Sequence, residues 1–172
     1  YGDHRDLHSF RTRRSSDLGQ ARVRELRARW QALAVTDQQL GERFDTALTR
    51  HRDALREQQR DRLRTWALAE IAAGVEVAPA SSAAALANAR ELVFEMETLA
   101  GLDPPESERD ARRQWQLQRL QKHLRGERPE SSADALATVL AGWRQVGALT
   151  MADRSPLASR LERAVDRYIA RS

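Results

Sequence analysis

The apolar positions of this chain recur with helical spacing from one end to the other. Val23, Leu26, Trp30 and Leu33 stand at i, i+3, i+7 and i+10, which places them on one helix face between Gln20 and Ala34. Thr36 and Asp37 offer an N-cap for a second helix. Its stripe runs through Leu40, Phe44, Ala47, Leu48, His51 and Leu55, then Leu63, Trp66 and Ile71. No proline or glycine interrupts Glu42 to Ala73, so one helix of about 50 Å is predicted, stopped by Gly74. Ser81 or Ser82 would cap a third helix that reaches Leu99, with Gly101 just past its end. After the break at Leu102-Asp103-Pro104-Pro105, a fourth helix is predicted from Glu106 to Arg125, with Gly126 ending it. A fifth carries Leu136, Val139, Leu140, Trp143 and Val146 up to Gly147. The sixth is expected to start at Ser155-Pro156, with Leu157, Leu161, Ala164, Val165 and Tyr168 on its face. No segment alternates with the two-residue period of a strand. The pattern predicts an all-α fold of about six helices, one of them long, with helical hairpins.

The two ends of the chain resemble each other. At an offset of 113, Val23, Leu26, Trp30, Leu33 and Ala34 align with Leu136, Val139, Trp143, Val146 and Gly147. At an offset of 117, Leu40, Arg43, Phe44, Ala47, Leu48 and His51 align with Leu157, Arg160, Leu161, Ala164, Val165 and Tyr168. The change of offset places a four-residue insertion between the two blocks, in the intervening loop, where insertions cost least. Each unit reads as a short helix bearing a tryptophan, a turn, and a helix bearing an arginine beside a large apolar residue. Two amphipathic helix pairs share a period in any case. The matched tryptophans and arginines favour a duplicated helix-turn-helix unit over that simpler explanation, and tandem helix pairs bury their apolar faces against neighbours.

Those motifs carry a resemblance. Trp-x-x-hydrophobic-small followed by Leu-x-x-Arg-Phe-x-x-Ala resembles the repeat of the bacterial "domain of unknown function 349" family. Leu99-Ala100-Gly101, Pro104-Pro105-Glu106 and Gln118-Arg119-Leu120 look like a segment near the end of its long members. The resemblance spans residues 19–172. Ala34 stands where the family usually has glycine, and Gly41 where it often has tryptophan. What the resemblance implies is a helical, often repeated, intracellular bacterial protein, with no catalytic residue. Residues 1–18 are a different matter: Tyr1 to Leu18 resembles one reading frame of a common sequencing adapter, departing only at Arg11. The segment is therefore expected to be a non-native, disordered tag from a metagenomic assembly. The native chain is then expected to be the C-terminal fragment of a larger protein. It would comprise a first repeat unit with the long helix (19–78), a linking hairpin (79–128) and a second repeat unit (129–172).

Composition narrows the chemistry. There are no cysteines, which excludes disulfides and thiolate metal sites and points to a cytoplasmic location. No apolar run approaches the length of a membrane span. Net charge is +4, and of 29 basic residues only Lys122 is lysine, so the high isoelectric point partly reflects arginine's pKa. Without the four arginines and three aspartates of 1–18, the net charge falls to +3. The tempting motifs are weak. His4 and His8 have a metal-ligand spacing but lie in the tag. His4-Arg5-Asp6-Leu7 and His51-Arg52-Asp53 imitate a kinase catalytic loop, yet Arg11 and Gln58 occupy the asparagine positions. His51 and His123 have no second ligand at useful spacing.

Trp30, Phe44, Trp143 and Leu161 are expected as core anchors. Arg43 and Arg160 would lay their stems on the core and pair with carboxylates, or else form a repeated phosphate contact. Arg52, Arg56, Arg60 and Arg64 form an i, i+4 row beside Asp53, Glu57 and Asp61, which suits a solvated, salt-bridged helix better than a nucleic-acid groove. Asp110, Arg112 and Arg113 read as ordinary helix surface. The chain is thus expected to be a non-enzymatic helical interaction module that binds protein, with Arg43, Arg160, Arg52, Arg56 and Arg60 as candidate contacts. RNA or ribosome association through those arginines is the alternative. No cofactor, metal, membrane or small-molecule substrate is expected.

Overall fold

The computed structural model describes residues 19, 21–33, 37–125 and 135–171, without the side chain of His123. The expected tag at 1–18 lies outside the described residues. The fold is all-α. Helix α1 covers residues 21–32. It is followed by α2 (Gln38–Ala73), α3 (Ala83–Ala100), a 3-10 turn at Glu106–Glu108, α4 (Arg109–Leu124), α5 (Ala135–Trp143) and α6 (Met151–Arg171). The only strand-like pairing among the described residues is an isolated parallel bridge between Val77 and Leu149.

The caps explain most boundaries. Asp37 Oδ1 accepts the backbone N–H groups of Gln39 and Leu40 at 2.9 and 3.2 Å, which starts α2. The helix then runs uninterrupted for 36 residues, about 54 Å at 1.5 Å per residue. Ser82, not Ser81, caps α3 by accepting from Ala85 N–H at 3.0 Å. Gly101 ends it at φ 66°, with Leu102 N–H reaching Glu97 C=O at 2.8 Å and Gly101 N–H reaching Thr98 C=O at 3.2 Å. That pair of bonds is a Schellman motif, and its left-handed residue favours glycine.

Three predicted boundaries move. The fourth helix is preceded by the 3-10 turn, and α5 ends at Trp143, short of Gly147, which takes φ 92° in the connection to α6. The last helix begins at Met151, one turn before the expected Ser155-Pro156 start, and Pro156 sits inside it. Thr150 and Asp153 are the reason: Thr150 Oγ1 accepts from Asp153 N–H at 3.2 Å and donates to its carboxylate at 2.8 Å. This [ST]-x-x-[DE] cap was readable in the chain and outranks the proline as a start signal. The four residues inserted between the repeat blocks are therefore an extra helical turn rather than loop.

The chain divides within α2, at Arg62/Leu63, into two compact units. In the first, α1 and the start of α2 form an antiparallel pair, with Trp30 stacked on Phe44 at 4.3 Å and 7° and Gly19 lying against Leu55. Val23 and Leu48 are its buried hydrophobic residues. In the second, the end of α2 contributes Ala67 and Ile71 to one core with Ala85, Ala89, Val93 and Met96 of α3, Leu136, Val139, Leu140 and Trp143 of α5, and Leu157, Leu161, Ala164, Val165 and Ile169 of α6. Helix α3, expected in a linking hairpin, packs most extensively on α6 and next on α5.

Candidate functional site

The densest polar construction is a charge cluster where α3, α4 and α6 meet. Glu97 follows the apolar stripe of α3 and is almost fully buried. Arg160 of α6 grips it with two hydrogen bonds, Nε to Oε1 at 2.9 Å and Nη2 to Oε2 at 3.1 Å, and extends Nη1 to Glu108 at 2.5 Å. Only 11% of the Arg160 side chain is exposed, and its guanidinium lies 5.8 Å from the Phe94 ring centroid. Burial opposes the charge, but the hydrogen bonds to Glu97 and Glu108 outweigh it, so the Arg160 pKa is raised. Arg112, expected on the helix surface, is buried: it donates to Leu102 C=O at 2.5 Å and Thr98 Oγ1 at 3.1 Å, and lies 4.0 Å from Glu97. It turns inward because it shares a face with Trp115 and Arg119 (i, i+3, i+7), and Trp115 packs on Phe94 while Arg119 pairs with Glu95 at 2.8 Å.

A second cluster ties the start of α3 to the start of α6. Ser81 Oγ accepts Thr150 N–H at 2.8 Å and donates to Asp153 Oδ2 at 2.5 Å. These hydroxyl bonds, Ser81 first and Thr150 second, lower the Asp153 pKa. The Ala78 N–H to Leu149 C=O and Leu149 N–H to Glu76 C=O bonds, both 2.9 Å, lie alongside.

A third group closes the C-terminus of α2. Trp143 donates its indole N–H to Ile71 C=O at 3.1 Å, Arg154 donates to Ala72 C=O, and Arg144 pairs with Glu70. A Cβ at Gly74 would stand 2.5 Å from the Trp143 ring, so the close approach of the indole requires glycine there. Arg171 does the same service for α3, donating to Ala100 C=O at 2.7 Å. Cations at helix C-termini satisfy orphan carbonyls and oppose the helix dipole.

The predicted contact residues separate. Arg160 is committed to carboxylates, as the stem-and-carboxylate alternative expected, so it presents no free charge to phosphate. Arg43 is exposed and forms no ion pair among the described residues. Arg52 is also exposed, while Arg56 and Arg60 sit 3.7 and 3.9 Å from Asp53 and Glu57, and Arg64 forks onto Asp166 of α6 at 2.8 and 3.0 Å. Of the core anchors, Trp143 and Leu161 are fully buried, whereas Trp30 and Phe44, stacked on each other, are half-buried. His51 is exposed, and among the described residues no group of three or more acidic or histidine side chains is placed to hold a metal ion.

One further surface is apolar and exposed. Leu117, Leu120 and Leu124 of α4 are each more than half exposed. Their i, i+3, i+7 spacing makes one apolar strip, rotated away from the Arg112–Trp115–Arg119 face that meets α3. The spacing was visible; that no helix among the described residues covers it was not. No family model matches the chain, no curated protein matches it, and no solved structure matches it.

Proposed function

We propose that this protein is a non-enzymatic, cytoplasmic helical interaction module that binds another protein through its helix faces. The α4 leucine strip carries this reading. Three large aliphatic side chains facing water on one helix, bordered by Gln114 and Gln121, form a surface suited to burial against a partner. Two further features support it. The ionisable groups brought together by the fold are spent on internal contacts: Arg160 and Arg112 on Glu97, and Ser81 and Thr150 on Asp153. The paired helix units also resemble the repeats of the "domain of unknown function 349" family. No helix among the described residues is long and apolar enough to cross a membrane.

The test is affinity capture from cell lysate on the immobilised chain, with and without nuclease, at low and high salt. A protein partner retained after nuclease at high salt and lost with the double variant Leu117→Glu/Leu120→Glu is the expected outcome. Capture that disappears with nuclease, falls steeply with ionic strength and depends on Arg43 and Arg52 would replace this reading with RNA binding.

A further inference from the structure

The two helix pairs, aligned residue by residue, differ in one respect: the second is closed by a third helix, and the first is covered by none among the described residues. On α6, Leu157, Leu161 and Ala164 lie in one buried cluster with the Ala85, Ala89, Val93 and Met96 stripe of α3. Their aligned positions on α2 are Leu40, Phe44 and Ala47, and these remain partly or largely exposed. Leu33 is 69% and Leu40 44% exposed, where Val146 and Leu157 are 5% and 4%. The arginines differ in the same way. Arg160 crosses to Glu97 on the covering helix, whereas Arg43 has no carboxylate partner among the described residues. Leu40, Arg43, Phe44 and Ala47 share one face at i, i+3, i+4 and i+7, so this surface combines a leucine, an aromatic ring, a small residue and a cation with no ion pair among the described residues.

We infer that the α1–α2 face formed by Leu33, Leu40, Phe44 and Ala47 is a docking site for one amphipathic helix of a partner protein. That helix presents small apolar residues and a glutamate that meets Arg43. The molecule itself shows the chemistry that fits, since the α3 stripe of alanine, valine and methionine followed by Glu97 covers the same residue pattern in the second pair. The inference rests on the protein-binding reading above but concerns a different face from the α4 strip. Charge complementarity selects the occupant: a helix without an acidic residue at that level would bury the Arg43 guanidinium unpaired, which is strongly unfavourable.

A fluorescent peptide with the sequence of residues 81–102 serves as the probe, its anisotropy followed on titration with the full chain. Saturable binding is expected, weakened by about tenfold or more in Arg43→Glu, since a desolvated charge pair is worth at least about 1.4 kcal/mol. A peptide carrying Glu97→Arg should restore binding to Arg43→Glu. Arg43 is exposed, so its variant folds, and Leu117→Glu/Leu120→Glu should leave peptide binding unchanged. Absence of saturable binding, or binding indifferent to Arg43→Glu, would overturn the inference. So would a dimer of the free chain, seen by sedimentation and broken by Leu40→Glu, because a second copy would then cover the face. Peptide failure with α4-dependent capture intact would remove this site and leave the general reading standing.

Discussion

Arg43 and Arg160 occupy the same place in two similar strings, Leu-x-x-Arg followed by a large apolar residue, yet only one is structural. Arg160 neutralises the buried Glu97, and its removal leaves that carboxylate desolvated without its bidentate partner. Loss of one member of a buried pair typically costs about 3–5 kcal/mol. Arg160→Ala should therefore lower stability in urea unfolding by about that amount, while Arg43→Ala should stay within about 0.5 kcal/mol, the range of ordinary surface substitutions. Equal losses would mean that Arg43 has a partner of the same kind. The periodicity placed both arginines beside the apolar stripe; it carried no information on which stripe a third helix covers.

Among the elements, α6 is set by its first turn. The Thr150–Asp153 cap and the Ser81 hydroxyl hold the helix start one turn ahead of Pro156, so the proline is carried inside the helix. Asp153 has a folded pKa below its ordinary value, so its contribution is fully present above the unfolded carboxylate pKa of about 3.9 and is lost as pH falls through the folded pKa. Thermal unfolding should show stability falling below about pH 4, and Asp153→Asn should reduce that fall while lowering stability at neutral pH. A wild-type pH profile identical to that of Asp153→Asn would assign the acid sensitivity elsewhere. Gly101 was legible as the end of α3, and the N-caps of α2 and α3 were legible to within two adjacent residues, Thr36 or Asp37 and Ser81 or Ser82, because capping is local, spanning two to five residues. The role of Ser81 was not, because its partners lie 69 and 72 positions away.

At the scale of the whole molecule, burial is unequal between the two units. Among the described residues, the second holds most of the buried side chains, including Trp143, Ile71, Met96 and Leu161, whereas the first buries Val23 and Leu48. Amide exchange should therefore be slowest in α3 and α6 and much faster in residues 21–32 and 38–62, since local opening is easiest where few apolar contacts must break. Uniform protection along all of α2 would contradict this, and protection gained in residues 21–32 and 38–62 on adding the α3 peptide would map the docking face directly.

The sequence by itself determined the helices and the apolar stripes, though not every boundary, because a helix is written in spacings of three and four residues and in the identity of its end residues. It placed Trp143 and Leu161 on apolar faces, but Trp30 and Phe44 stand at the matching positions and are only half-buried. Tertiary structure alone decided which stripes are covered: the leucines of α4 and the Leu40–Ala47 face have the same pattern as buried faces and differ only in lacking a covering helix among the described residues. It alone decided the charge pairings too, with Arg160 meeting carboxylates 52 and 63 positions away and Arg64 one 102 positions away. Hydrophobic periodicity is local and indifferent to its partner, whereas ion pairing in a core depends on which helices lie across from one another in space.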